Sequence, residues 1–186
     1  MFQPTIEKIL GKKVNISAVS MAISRYAKDL RQKVKSTYDI KLIDTDIIIR
    51  EDLFELTVHK TPASLDKIKM IYNIVDLNPR VLLTITHGMY ETTIISNKRY
   101  QDKISQVFEE DQKIKIIENL AALSIKLPEN AYKNVGLFYI ISKALAWAMI
   151  SIAEIVSTYS ELTLIIQEED MRRTHETIKK LIDETL

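Results

Sequence analysis

Residues that could do acid–base, nucleophilic or metal chemistry are few and scattered in this chain of 186 residues. Cysteine is absent, which excludes thiol nucleophiles, thiolate metal ligands and disulfides. His59, His87 and His175 lack a second histidine or a carboxylate at ligand spacing, so we expect no metal site. The acidic runs at 109–111 and 168–170 adjoin helix ends, where capping is the preferred explanation. The pattern therefore predicts no catalytic residue and no cofactor, and indicates a protein that is not an enzyme.

Two stretches about seventy residues apart repeat one order of hydrophobic patterns, namely strand, helix, strand, strand, helix. Periods of 2 and 3.6 that alternate in this order are typical of the split βαβ, or ferredoxin-like, unit. A unit used twice, without a catalytic constellation, favours sensing or binding over turnover. Glu154 interrupts an apolar strand, which an edge or subunit-facing position would explain. The predicted strands are 53–58, 81–86, 90–95, 113–117, 121–127, 150–158 and 161–166, and the predicted helices are 65–72, 104–108, 135–148 and 171–182.

The second copy ends at its helix and therefore lacks a fourth strand. The β-branched run at 47–49 predicts an extra strand over 46–50, followed by a turn at Glu51-Asp52. An open position in a sheet leaves unpaired backbone groups, so either this extra strand or a partner subunit should fill it. We predict an α+β fold of two ferredoxin-like units packed together behind a short helical segment. The expected divisions are 1–44 for the helical segment, 45–117 for the first unit and 118–186 for the second.

Charge is unevenly distributed along the chain. Hydrophobic residues make up 46% and charged residues 27%, and no apolar run is long enough to span a bilayer, which predicts a cytoplasmic protein without membrane contact. The first 36 residues hold eight Lys or Arg against two acidic residues, a charge of +6. Since the whole chain is +1, the remainder sums to −5.

The basic segment contains two candidate helices joined by a short turn, which resembles part of a helix-turn-helix. Arg25 and Lys28, together with Arg31 or Lys35, share one face of the second helix. Phosphate contacts by such a face would make the protein a nucleic-acid-binding transcriptional regulator. The competing explanation is that these charges solvate two surface helices.

The second copy resembles a known family over three segments. Residues 134–146, 150–155 and 161–166 look like an ACT domain, closest to the paired ACT domains in the regulatory half of aspartate kinases. The whole chain is similar to stand-alone prokaryotic proteins that carry a helical N-terminal part and two ACT-like units without a kinase domain. Residues 11–16 and 22–27 resemble the N-terminal pattern of that group.

The resemblance implies an allosteric regulatory protein that binds an amino acid effector and forms a homo-oligomer. Its effector would lie where the first strand-to-helix loop, here 128–136, meets the start of the second strand at 150–152. A helix N-terminus suits a carboxylate, and an asparagine suits an ammonium group. Met149 and Ser151 stand where the family has Gly and Asn, so an interaction protein that has lost its ligand is a further alternative. The implied ligand-binding residues are Asn130, Asn134, Val135, Gly136, Ser151 and Ile152.

Overall fold

A computed structural model describes residues 3–37, 46–109, 112–129 and 131–184, without the side chains of 30–37 and 184. Six antiparallel strands form one sheet in the order β2-β3-β1-β4-β6-β5, and helices cover one face of each half. The predicted α+β class with ferredoxin-like halves behind N-terminal helices is confirmed. The elements are α1 Gln3–Leu10, α2 Ile16–Thr37, β1 Ile47–His59, α3 Pro62–Ile74, β2 Leu83–His87, β3 Glu91–Asn97, α4 Gln101–Ser105, β4 Lys113–Lys126, α5 Leu137–Trp147, β5 Ile152–Ser157, β6 Glu161–Gln167 and α6 Met171–Glu184.

Local signals set the boundaries of the N-terminal helices. Gly11 follows α1 with φ of 64°, a left-handed conformation that ends a helix at little cost for glycine. Asn15 precedes α2, and its side-chain oxygen accepts from the Ser17 N–H at 3.1 Å. That hydrogen bond satisfies one of the donors that every helix start leaves free.

Strands β1 and β4 are long, and each contains one left-handed residue. The sequence predicted a turn at Glu51-Asp52, but β1 continues through it with Asp52 at φ of 60°. It also predicted separate strands at 113–117 and 121–127, whereas β4 is continuous with Asn119 at φ of 56°. Asp and Asn tolerate this conformation, so the chain forms a bulge that bends the strand without reversing it. The boundary expected between 117 and 118 thus falls within β4.

The two halves repeat each other closely. Asp52 and Asn119 are 67 residues apart and occupy the same place, one residue before the buried segment of each long strand. Strands β3 and β6 are each followed by a three-residue 3-10 helix, Lys98–Tyr100 in one half and Glu168–Asp170 in the other. The sheet order is also symmetric about the β1–β4 pair. This internal repeat is what the sequence predicted from hydrophobic periodicity.

The first residues of each long strand lie in the sheet of the other half. Ile47 pairs with Ile125 and Arg50 with Ala122, so the start of β1 lies in the sheet of the second half. This confirms the prediction that an extra strand at 46–50 fills the place left by the missing fourth strand. In return, Lys115 at the start of β4 pairs with Thr57 in the first half. The β1–β4 ladder is therefore common to both halves.

Three buried clusters hold the fold together. The helix-covered face of the first half centres on Phe54 and Ile71, and that of the second half on Leu123 and Ile141. Burial of each such side chain contributes about 1.5–3 kcal/mol. A third cluster joins residues of both halves on the opposite, helix-free face. Its members are Leu53, Ile95, Leu120, Ala122 and Ile165, all fully buried.

The helix-free faces of the two halves are turned toward each other. Glu154 on β5 lies near enough to the Thr86 hydroxyl on β2 for that hydroxyl to lower its pKa, although these strands lie at opposite ends of the sheet. Such a contact requires the sheet to fold back on itself, which the bulges at Asp52 and Asn119 allow. The helices therefore lie outside, and the third cluster lies between the halves.

Candidate functional site

The loop between β4 and α5 is the segment to which the resemblance assigned ligand binding. A 3-10 turn over Ala131–Lys133 leads into Asn134, whose N–H donates to the Ala131 carbonyl at 2.9 Å. Val135 is 75% exposed, and Gly136 is the N-cap of α5 with φ of 89°, so a side chain at that position would be strained. Asn130 lies outside the described residues. Asn134, Val135 and Gly136 thus stand together at the start of α5.

The start of α5 differs from its counterpart in the first half. At α3, the Thr61 hydroxyl accepts from the Ser64 N–H at 3.1 Å, and the Ser64 hydroxyl accepts from the Thr61 N–H at 2.8 Å. This capping box satisfies donors that a helix start leaves free. No side chain caps α5, because Gly136 has none to offer. The second half therefore presents an uncapped helix N-terminus, with the positive potential that favours anions.

Aromatic and basic side chains flank this helix start. The rings of Tyr132 in the loop and Tyr159 in the β5–β6 turn lie 5.9 Å apart between centroids. The Lys133 ammonium lies 5.5 Å from the Tyr132 ring centre. A Lys143 ammonium on α5 lies 5.6 Å from the Tyr139 ring centre. One lysine therefore lies in the loop before α5, and the other lies on α5 itself, about 9 Å along the axis from its first residue.

Ser151 and Ile152 lie at the other end of α5. The helix runs antiparallel to β4 and β5, so its last residue, Trp147, is beside the start of β5. Eleven helical residues span about 16 Å. Ser151 is exposed and Ile152 packs partly against the core, but within one chain neither joins Asn134 and Gly136 in a single pocket. The ligand-binding residues that the resemblance implies therefore form two groups, one at each end of α5.

Helix α5 is followed by a residue in the left-handed conformation, and this residue is methionine where glycine is usual. Met149 has φ of 55°, the Ile150 N–H donates to the Leu145 carbonyl at 3.0 Å, and the Met149 N–H donates to the Ala146 carbonyl at 3.0 Å. These two bonds constitute a Schellman motif. Met149 therefore forms the stop that the resemblance led us to expect from glycine, at the cost of a strained residue.

An exposed apolar surface runs along α5 and beyond its end. Trp147 is 81% and Met149 82% exposed, and Phe138 and Tyr139 are about half exposed. Packing between the two halves was the preferred explanation for these side chains, and their exposure shows that it is wrong. Strand β5 next to them is an edge strand, whose outer backbone groups have no partner strand in this sheet. Apolar side chains beside a free edge are typical of an interface.

Two carboxylates approach each other between the halves. Burial raises the pKa of Glu55, and the nearby charge of Glu154 raises it further, while the Thr57 hydroxyl and Lys115 act in the opposite direction. Burial also raises the pKa of Glu154, against a hydrogen bond from Thr86. Glu154 does lie on an edge strand, as its position suggested, but it faces the other half. Sequence reasoning did not find Glu55, because no periodicity reveals a contact across the fold.

Two basic residues of α2 have described side chains, and both face solvent. Arg25 and Lys28 are exposed, and Arg31 and Lys35 lie on the same helix, with side chains outside the described set. Across the described residues there is no group of three potential metal ligands. No helix in the same part of the chain is long and apolar enough to cross a membrane.

Comparison with known proteins identifies the fold. No protein-family model matches the chain, and no curated protein matches it in sequence. Solved structures do match. One, of aspartokinase alpha and beta subunits, has a TM-score of 0.59 and 13% identity over 74% of this chain and 97% of its own. The ligand-free regulatory subunit of aspartate kinase from Thermus thermophilus has a TM-score of 0.56 and 11% identity, covering 72% and 95%.

The fold is that of the paired ACT-like regulatory units of aspartate kinases. A third match, to E. coli aspartokinase III in complex with lysine and aspartate, has a TM-score of 0.50 and 13% identity, over 75% of this chain and 32% of the longer enzyme. The Thermus thermophilus match is a regulatory subunit and is covered nearly whole. These comparisons give no support to nucleic acid binding.

Proposed function

We propose that this chain is a non-enzymatic regulatory protein of the cytoplasm that senses a free amino acid through its paired ACT-like units. The observation that carries the proposal is the contrast between the capped start of α3 and the uncapped start of α5. A helix start without a side-chain cap retains donors for an external anion. The ACT-like fold and the amino acids bound to E. coli aspartokinase III support this choice of ligand.

The ligand's carboxylate would accept from N–H groups at the start of α5, near Gly136. Its ammonium group would donate to the side-chain carbonyl of Asn134. Lys133 and Lys143 add positive charge around the carboxylate. Hydrogen bonds between charged and neutral groups contribute about 1.5–3 kcal/mol each.

A second copy of the chain would complete the pocket. The group at Asn134 and the group at Ser151 lie at opposite ends of α5, about 16 Å apart. A two-fold contact along α5 and the β5 edge would place the first group of one copy beside the second group of its partner, and the reverse. The exposed Trp147 and Met149 would lie within that contact. In this arrangement each pocket contains one group from each copy. The two groups of a single chain can therefore lie at opposite ends of α5.

Regulation would follow from the ligand's preference for one arrangement of the two copies. A ligand shifts an equilibrium only by the difference between its affinities for the two states. A hundredfold difference corresponds to about 2.7 kcal/mol, within the usual range of coupling between sites. The regulated partner would recognise the favoured arrangement.

A thermal-shift screen of the twenty amino acids at millimolar concentration tests the proposal. A ligand at one hundred times its Kd stabilises the folded state by about 2.7 kcal/mol. The Asn134→Ala variant should weaken binding of the same amino acid by roughly 1.5–3 kcal/mol. If no amino acid raises the melting temperature, or if Asn134→Ala leaves the affinity unchanged, the proposal fails. The first of these outcomes would favour an interaction protein that has lost its ligand.

A further inference from the structure

A cleft with a mixed polar and apolar lining lies on the helix-free face of the second half, on the opposite side of the sheet from α5. It opens where β4 ends and β6 begins, beside the β5–β6 turn. Its volume is about 260 Å³, which suits a ligand of a few heavy atoms better than a drug-sized one. The residues that line it are Asp46, Ile48, Ser124, Lys126, Ser160 and Glu161.

The floor of the cleft contains an ordered chain of hydroxyl groups. The Thr163 hydroxyl donates to the Glu161 carboxylate at 3.0 Å. The Ser124 and Thr163 hydroxyl oxygens are 2.7 Å apart, and both residues are buried, at 2% and 5% exposure. Because Thr163 uses its only proton on Glu161, Ser124 must donate to Thr163. The Ser124 oxygen therefore keeps its acceptor positions unused at the wall of the cleft.

Acceptors outnumber donors around this cleft. Asp46 and Glu161 contribute carboxylates and Ser124 contributes hydroxyl lone pairs, whereas Lys126 is the one cation among the lining residues. Lys126 and Glu161 are cross-strand neighbours. Among the described residues, neither Asp46 nor Lys126 makes a salt bridge or a side-chain hydrogen bond. The lining thus has two negative charges, one positive charge and a buried acceptor.

We propose that this cleft binds the primary ammonium group of a small aliphatic amine. The ammonium would donate to Glu161, Asp46 and Ser124, which matches its three donors. An anionic group at the other end of the ligand would interact with Lys126. The cleft is separate from the loop at α5, yet Leu127 connects them, because it follows Lys126 and its N–H donates to the Ser160 carbonyl at 2.8 Å. Occupancy of the cleft would therefore act on the strand end from which the loop starts.

The test is an NMR titration of the full chain, which follows the backbone amides of Ile48, Lys126 and Glu161. The probes are 4-aminobutanoate, 1,4-diaminobutane and butanoate, at matched ionic strength. We expect saturable shifts with the two amines and none with butanoate, which lacks the ammonium group. Equal responses to 4-aminobutanoate and butanoate would overturn the proposal, as would the absence of a saturable shift with both amines.

Variants separate this cleft from other carboxylates and from the loop. Glu161→Gln should weaken the amines about tenfold or more, the cost of losing a charge-assisted hydrogen bond. Glu169→Gln, an exposed carboxylate beyond the other end of β6, should leave their affinity unchanged. Asp46 lies just before β1, outside the strand itself. The Asp46→Asn variant therefore provides a second test if Glu161→Gln folds poorly. An unchanged affinity in Asp46→Asn would also sink the proposal. Asn134→Ala should have no effect here, so failure of the loop site and failure of the cleft are distinguishable.

Discussion

The charge of Glu154 on β5 raises the pKa of Glu55 on β1 across the two halves, although β4 and β6 separate their strands in the sheet. Hydroxyl groups accompany both carboxylates, Thr57 beside Glu55 and Thr86 beside Glu154. The contact joins the halves at the helix-free faces, next to the buried apolar cluster. Ionisation of the pair is therefore coupled to how tightly the halves pack.

Stability should decline as the pH rises through the raised pKa values of this pair. The pKa of both carboxyls lies above the ordinary value of 4.5, so the folded chain binds protons more tightly than the unfolded chain. Their contribution is complete below pH 4.5 and is lost as the pH passes the folded-state pKa. Glu154→Gln should raise the urea midpoint at pH 7 and change it little at pH 4. Glu169→Gln is the matched control. If it raised the urea midpoint at pH 7 by the same amount, the gain would come from removing any negative charge and not from the position of Glu154.

Met149→Gly should stabilise the chain by about 0.5–1 kcal/mol. A non-glycine residue in the left-handed conformation costs roughly 1–2 kcal/mol, and the larger backbone entropy of glycine in the unfolded chain offsets about half of this. Little packing is lost, since the Met149 side chain is 82% exposed. Chemical denaturation measures the gain. Met149→Ala removes the same side chain but keeps the strain, so a similar gain from alanine would contradict this explanation.

Asn119→Val should destabilise the chain by about 1–3 kcal/mol. Asn119 holds φ of 56° at the bulge of β4, and a β-branched side chain is poorly compatible with that conformation. Asn119→Gly accepts it readily and should be nearly neutral or slightly stabilising. A comparison of the two variants by thermal unfolding isolates the backbone effect. Equal losses for valine and glycine would instead point to the Asn119 side chain, which accepts from the Lys98 ammonium at 3.4 Å.

Mixed oligomers should show whether two copies share the amino acid site. Asn134→Ala and Ser151→Tyr each impair one of the two groups, and each variant alone should bind an amino acid weakly. In a two-fold assembly that contains one copy of each variant, one site carries both defects and the other carries none. Titration calorimetry of the mixture should therefore recover wild-type affinity at half the sites of the mixed species. If no site of the mixed species recovered wild-type affinity, the two groups would not belong to a site that two copies share.

Periodicity predicted most of the fold, although the helix predicted over 104–108 lies at Gln101–Ser105, and its errors in the two long strands have one physical origin. The apolar alternation of 53–58 and 161–166 and the helical spacing of 171–182 gave elements close to those observed. The predicted turn at Glu51-Asp52 was wrong because Asp and Asn adopt the same left-handed conformation in turns and in bulges. Only the pairing of residues 47–50 with 122–125 decides between the two. That pairing is a tertiary property.

The sequence predicted less of the candidate sites than of the fold. The loop at 134–136 was identified through resemblance, but the distance along α5 that separates it from Ser151 depends on chain direction in the fold. The amine cleft combines residues from β1, β4, β6 and the β5–β6 turn, and none of them forms a motif in the chain. The paired carboxylates Glu55 and Glu154 are 99 positions apart and meet only because the sheet folds back.

The shared ladder of β1 and β4 makes the protein a case of strand exchange within one polypeptide. If the chain were cut between α4 and β4, the N-terminal fragment would keep residues 47–50, which complete the other half's sheet. The C-terminal fragment would keep residues 113–117, which complete the first. Neither fragment would have a finished sheet by itself, and each would expose an edge that fits only its complement. The two fragments should therefore reassociate as a split protein, with the β1–β4 pairing as the joint.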